Sequence, residues 1–189
     1  DLGVIFDTDV DRGAAVGRDD KPINRNRLIA LAGAIVLDSE PGATIVTDSI
    51  TSDGLKQYLE QTLGGVHHRF KRGYRNVINE ALRLNAQGVN CPLAIETSGH
   101  AAMRENYFLD DGAYMAVKLL IALAKAAREG KTLASFIETL EKGFEEREYR
   151  FSLLVPAAVC CPELDGTDEV LLQGVVDLYA VKDGAVTVV

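Results

Sequence analysis

Between Asn26 and Glu141 the sequence switches its hydrophobic period again and again, and that alternation leaves few folds open. "NRLIALAGAIVL" (26–37) carries apolar residues at helical spacing and stops at Pro41-Gly42. "ATIVT" (43–47) then reads as a strand. Ser52 is placed to cap "DGLKQYLEQTL", a helix closed by Gly64-Gly65. A short strand, "VHHRF", is followed by a helical period from Gly73 to Asn85 and a further strand, "CPLAIE" (91–96). The stretch 110–129 predicts a long helix, with acids in its first turn to suit the dipole and Gly130 at its end. Thr132 caps a last short helix, "LASFIETLE". Helix and strand in such succession predict an α/β layered domain.

The flanks differ in character. Residues 2–6 read as a buried strand and 13–16 as a shorter one, and "GRDDKPIN" (17–24) is a charged turn. After about Tyr149 the sequence is strand-like throughout, with Lys182-Asp183-Gly184 as a hairpin turn between the last two strands. This divides the chain into 1–23, an α/β segment 24–146 and a β-rich tail 147–189. With 47% apolar residues the chain buries a real core, while a net charge of -8 argues against broad nucleic-acid or anionic-membrane binding. No apolar run reaches the ~18 residues of a membrane span. Cys91, Cys160 and Cys161 form no C-x-x-C pair and read as buried or free thiols of a reducing, cytoplasmic compartment.

Chemistry concentrates at the start, in "DLGVIFDTDVDRG". Asp7, Asp9 and Asp11 stand on alternate positions after an apolar run and are followed at once by Arg12. Three such carboxylates repel each other unless a cation joins them, and a curled loop brings them onto one hard dication such as Mg²⁺. An EF-hand also begins D-x-D-x-D, but its sixth and twelfth positions need Gly and Glu, and here they are Arg12 and Arg18. Two readings stay open beside the metal loop: a solvated acidic turn, and a dehalogenase-type phosphatase, which usually has Thr or Val where Asp11 stands. Arg12 suits a phosphate guest shared between a guanidinium and a bound dication.

About ninety residues further on, Glu96-Thr97-Ser98-Gly99-His100 follows another apolar strand. Strand-D-x-D-x-D-R with E-x-S-G-H in that order resembles the α-D-phosphohexomutases, the phosphomannomutase/phosphoglucomutase family. "PINRNRLIALAGAIVL", "TIVTDSITSDGL", "HHRFKRGYRNVI" and "LDDGAYMAVKLL" extend the likeness over residues 1 to about 151. The resemblance implies a third-domain fold of that family, a mixed sheet layered with helices, preceded by the last strands of a second domain. It implies Mg²⁺ held by Asp7, Asp9 and Asp11, with Arg12 facing the active site. Glu96 and Ser98 would hold hydroxyls of a hexose phosphate or bisphosphate, with His100 supporting their loop. Gly73 and Tyr74 would lie on another active-site loop, flanked by Lys71, Arg72 and Arg75.

Two parts of the family pattern are missing. Its nucleophilic serine lies in a Thr-x-Ser-His-Asn-type motif, and no Ser-His pair occurs in this sequence. Of its Arg-x-Ser-x-Thr-type phosphate loop, Arg150-Phe151-Ser152 satisfies only the first half. The resemblance thus implies a part of a larger Mg²⁺-dependent mutase, inactive alone. The tail is instead similar to the RecB-type nuclease domain of AddA-like helicase–nuclease subunits, with Asp177 as a possible metal ligand. A junction near "EYRF" (148–151) would join segments of unrelated families, and an ordinary β-hairpin accounts for the tail equally well.

Overall fold

The computed structural model describes residues 2–138, 140, 149–156, 169–176, 179–182 and 185–188. The chain divides into two compact units, Asp1–Gly143 and Phe144–Val189.

The first unit is built on a four-stranded mixed sheet of order β5-β4-β6-β7. Its strands are β4 (Thr44–Asp48), β5 (Val66–Phe70), β6 (Leu93–Ile95) and β7 (Ala101–Met103). β5, β4 and β6 run parallel, and β7 returns antiparallel to β6. Every residue of β4 is buried, as a central strand covered on both faces must be. Alternation along the strands then sorts side chains between two cores. Ile45, Leu93 and Ile95 belong to a large cluster with α1 (Arg25–Ser39), α2 (Asp53–Gln57) and α4 (Gly112–Arg128). Val46, Ala94 and Ala102 point the other way, into a smaller cluster with Val77, Ala81 and Leu84 of α3 (Tyr74–Ala86). Helices therefore cover both faces, and the α/β class with a mixed sheet is the one predicted from the sequence.

The caps explain several boundaries. Ser52 Oγ accepts from Leu55 N at 3.1 Å, and Thr132 Oγ1 accepts from Ser135 N at 3.2 Å, both as predicted. α2 continues as a π-helical turn, Tyr58–Thr62, before the glycine pair. Thr132 opens a 3-10 helix, Leu133–Ile137. β7 was not predicted.

Ahead of this layer, β1 (Gly3–Phe6), β2 (Gly13–Val16) and β3 (Pro22–Ile23) form an antiparallel sheet of order β1-β2-β3. Ala15 and Ile23 are buried in the larger core, but β1 is not the buried strand its apolar run predicts. β1 pairs only with β2 among the described strands, and Ile5 and Phe6 are 58% and 40% exposed.

In the second unit, β8 (Tyr149–Pro156) pairs antiparallel with β9 (Glu169–Val176), and β10 (Tyr179–Lys182) with β11 (Ala185–Val188). Arg150-Phe151-Ser152 falls within β8. Asp177, Cys160, Cys161 and the turn residues Asp183 and Gly184 lie outside the described residues. No described helix is long and apolar enough to cross a membrane.

Candidate functional site

The sheet order contains a switch point. From β4 the chain passes through α2, on one face, to β5 at one side of β4. It then passes through α3, on the opposite face, to β6 at the other side. In such sheets ligands settle outside the carboxyl ends of the strands where the connections diverge. Asp48 ends β4, the Lys71–Gly73 loop follows β5, and Glu96 follows β6, so three loops meet at that edge.

The turn after β6 is tight. Gly99 N donates to Glu96 O at 3.1 Å and Glu96 N to His100 O at 2.9 Å. Gly99 sits at φ +101, and a Cβ there would stand 2.7 Å from Gly13 O, so only glycine fits both the backbone and the space. That close approach joins the turn to the acidic loop: Gly13 N donates to Gly99 O at 3.2 Å, and Arg12 and His100 form a β-bridge. The two sequence motifs, about ninety residues apart, are stitched together by backbone.

In the acidic loop, Val10 takes positive φ, which curls the chain between β1 and β2. Oxygens of Asp7, Asp9 and Asp11 all lie within 4.8 Å of one another. Arg12 bridges back to Asp7, Nε to Oδ2 at 2.6 Å and N to Oδ1 at 3.2 Å. Loss of water pulls the Asp7 carboxyl upward, but the hydrogen bonds and charge of Arg12 outweigh it and hold the group below its usual range. Asp11 Oδ1 is buried with no hydrogen-bond partner among the described residues. The start of α4 closes the loop from outside. Gly112 N donates to Val10 O at 3.0 Å, and a Cβ on Gly112 would lie 2.8 Å from the Arg12 carbonyl carbon. An all-oxygen donor set with one orphaned oxygen fits a hard dication such as Mg²⁺.

Glu96 is 4% exposed. Its Oε1 accepts from Gly73 N at 2.5 Å, and its Oε2 from Ser98 Oγ at 3.0 Å. Gly73 is the N-cap of α3 with φ 118, so Glu96 answers one of the helix's unpaired N–H groups. Tyr74 stacks on His100 with ring centroids 4.9 Å apart, and Arg75 lies 5.6 Å over the Tyr74 ring. His100 Nδ1 is 2.7 Å from Asp110 Oδ2 and 3.8 Å from Asp11 Oδ1. Burial raises the Asp110 carboxyl, opposed by His100 and reinforced by the Asp11 charge.

The structure thus brings Asp7, Asp9, Asp11, Arg12, Gly73, Tyr74, Glu96, Ser98 and His100 into one connected set. Arg12 is committed to Asp7, and Lys71 and Arg72 are exposed. Three members escaped the sequence reading: Asp48, Thr97 and Asp110. Thr97 donates to Asp48 through both N (3.2 Å, to Oδ1) and Oγ1 (2.6 Å, to Oδ2). Asp48 is fully buried, which pushes its carboxyl upward against those two bonds. The one signal available in the sequence was an acid closing the apolar run "TIVTD".

Residues 24–143 match phosphoglucomutase/phosphomannomutase, alpha/beta/alpha domain III. Phosphomannomutase/phosphoglucomutase of Pseudomonas putida is 31% identical over 134 residues, 70% of this chain and 28% of that protein. A phosphoglucomutase/phosphomannomutase family protein of Burkholderia thailandensis superposes with a TM-score of 0.61 at 28% identity, over 83% of this chain and 31% of that one. N-acetylphosphoglucosamine mutase of Aspergillus fumigatus, in complex with GlcNAc-6P and magnesium, shares the fold with a TM-score of 0.52 at 15% identity, over 82% and 38% of the two chains. The chain spans about a third of the length of these relatives.

Proposed function

The chain belongs to the phosphoglucomutase/phosphomannomutase family, and from that premise we propose that it is the metal- and sugar-holding part of a Mg²⁺-dependent phosphohexomutase. The reaction of the whole enzyme is transfer of a phosphoryl group between C1 and C6 of a hexose phosphate. One observation carries the reading: the acidic loop and the E-T-S-G-H turn are joined by backbone at Gly13–Gly99 and Arg12–His100. A dication and a sugar hydroxyl bound by these two motifs would lie side by side.

Asp7, Asp9 and Asp11 would hold the ion, which supplies positive charge against a transferring phosphoryl group. Arg12 stands beside them with its Nε on Asp7, leaving the rest of its guanidinium for phosphate oxygen. Each Glu96 oxygen keeps a lone pair beyond its bond to Gly73 or Ser98, and those lone pairs, with the Ser98 hydroxyl, suit a vicinal diol. Glu96 is buried, and Gly73 of the Lys71–Tyr74 loop is bonded to its Oε1. His100, held by Asp110 and stacked on Tyr74, ties that loop to the metal side.

The test is calorimetric titration of the purified chain with glucose 1,6-bisphosphate, with and without Mg²⁺. Binding should require the ion and weaken at least about tenfold, roughly 1.4 kcal/mol, in Asp9→Asn. No Mg²⁺-linked binding, or binding indifferent to Asp9→Asn, would leave an acidic surface turn on a non-catalytic module. Mg²⁺-dependent cleavage of single-stranded DNA, lost in Asp177→Asn, would assign the tail to a nuclease instead.

A further inference from the structure

Asp48 is a carboxylate with no exposed surface, at the end of a central strand, next to a second buried acid in register. The β4–β6 pairing sets Thr47 against Ile95, so Asp48 and Glu96 follow side by side. Burying one carboxylate is unfavourable without partners, and two neighbours are worse. A neutral residue would cap the Thr97 N–H without that penalty. Asp48 accepts from the Thr97 N–H and hydroxyl together, through one carboxylate oxygen each, and these are the bonds its carboxylate makes among the described residues.

Thr97 is the first residue inside the turn, between Glu96 and Ser98. With Thr97 gripped from the sheet side, Ser98 Oγ is left to donate to Glu96 Oε2 across the turn, and Glu96 Oε1 to accept from Gly73 N. We propose that Asp48 and Thr97 form a clamp that positions the Glu96 carboxylate and Ser98 hydroxyl for sugar hydroxyls, Asp48 being a positioning residue that touches no substrate. The inference rests on the reading of the Glu96–His100 turn as sugar-holding.

The chemistry of the pair selects the variants. Thr97→Val alone would strand a buried carboxylate and threaten folding, so the decisive variant removes both partners, Asp48→Ala with Thr97→Val. Asp48→Asn is the conservative control, because the Thr97 hydroxyl turns round to accept from the new amide while the remaining oxygen keeps the N–H. Thr97→Ser is the second control. In titrations with glucose 1,6-bisphosphate and Mg²⁺, the double variant should bind at least about tenfold more weakly, and each control within about threefold of the parent. Affinity for Mg²⁺ alone should be unchanged in all of them, a result that general destabilisation would not give. Equal sugar-phosphate affinity in the double variant, or loss of Mg²⁺ affinity in parallel, would overturn the clamp. Amide exchange judges it even if the parent chain takes no sugar phosphate and the functional reading falls. The hydrogen-bonded Glu96 and Gly99 amides should exchange at least about tenfold faster in the double variant, and unchanged exchange would refute the proposal.

Discussion

His67 is a residue whose chemistry is set by burial rather than by the site. Its Nε2 lies 2.7 Å from Thr47 Oγ1, and its Nδ1 is buried with no partner among the described residues. Burial, with help from Arg69 and Lys56, lowers its pKa from 6.5 to about 4. Between those values the unfolded chain binds a proton that the folded chain refuses, so this contribution is complete above the unfolded pKa and is lost as pH falls. Urea unfolding should show about 2 kcal/mol of stability lost to His67 by about pH 5. His67→Gln, which keeps a partner for Thr47 but does not titrate, should flatten that slope; identical slopes in parent and variant would refute it. The same burial explains what the sequence concealed. Asp7, Asp9 and Asp11 are legible because their meaning lies in local spacing, whereas Asp48 acquires its meaning from Thr97, 49 positions away. A lone acid at a strand end reads as the start of a turn, and only the β4–β6 register shows what it grips.

At the level of elements, period and caps carried most of the architecture: four helices, the strands of the parallel core and two caps follow from the sequence. β7 did not, because "AAM" holds no β-branched or aromatic residue and becomes a strand only by pairing with β6. β1 was expected inside because its run is apolar, although burial depends on what covers a strand and not on its composition alone. The start of α4 links element to site. Asp111 Oδ1 accepts from Tyr114 N at 2.8 Å as the N-cap, and the next residue, Gly112, donates to Val10 O in the acidic loop. Asp111→Ala should lower stability by about 1 kcal/mol and, by fraying the turn that braces the loop, weaken Mg²⁺ binding several-fold. Thr132→Ala removes a cap remote from the loop and should lower stability with Mg²⁺ affinity intact. Equal Mg²⁺ affinity in both variants, read by calorimetry, would show that α4 does not brace the loop.

For the whole molecule the question is what these two units accomplish together. Every residue of the candidate site, and both hydrophobic clusters, belong to the unit Asp1–Gly143. The site proposed above would supply charge and position, but phosphoryl transfer also requires a group that carries the phosphoryl between the two ends of the sugar. The family's Ser-His signature for that group does not occur in the sequence. The 189-residue chain should therefore bind glucose 1,6-bisphosphate with Mg²⁺ yet fail to interconvert glucose 1-phosphate and glucose 6-phosphate. Turnover above the buffer rate in a coupled assay, abolished by Asp9→Asn, would show that a group within this chain does the transfer. Residues 1–143 alone should retain the helical circular dichroism signal and the Mg²⁺-linked binding, since the unit has its own core. Loss of binding with the helical signal intact would refute the assignment of the sugar-phosphate site to residues 1–143.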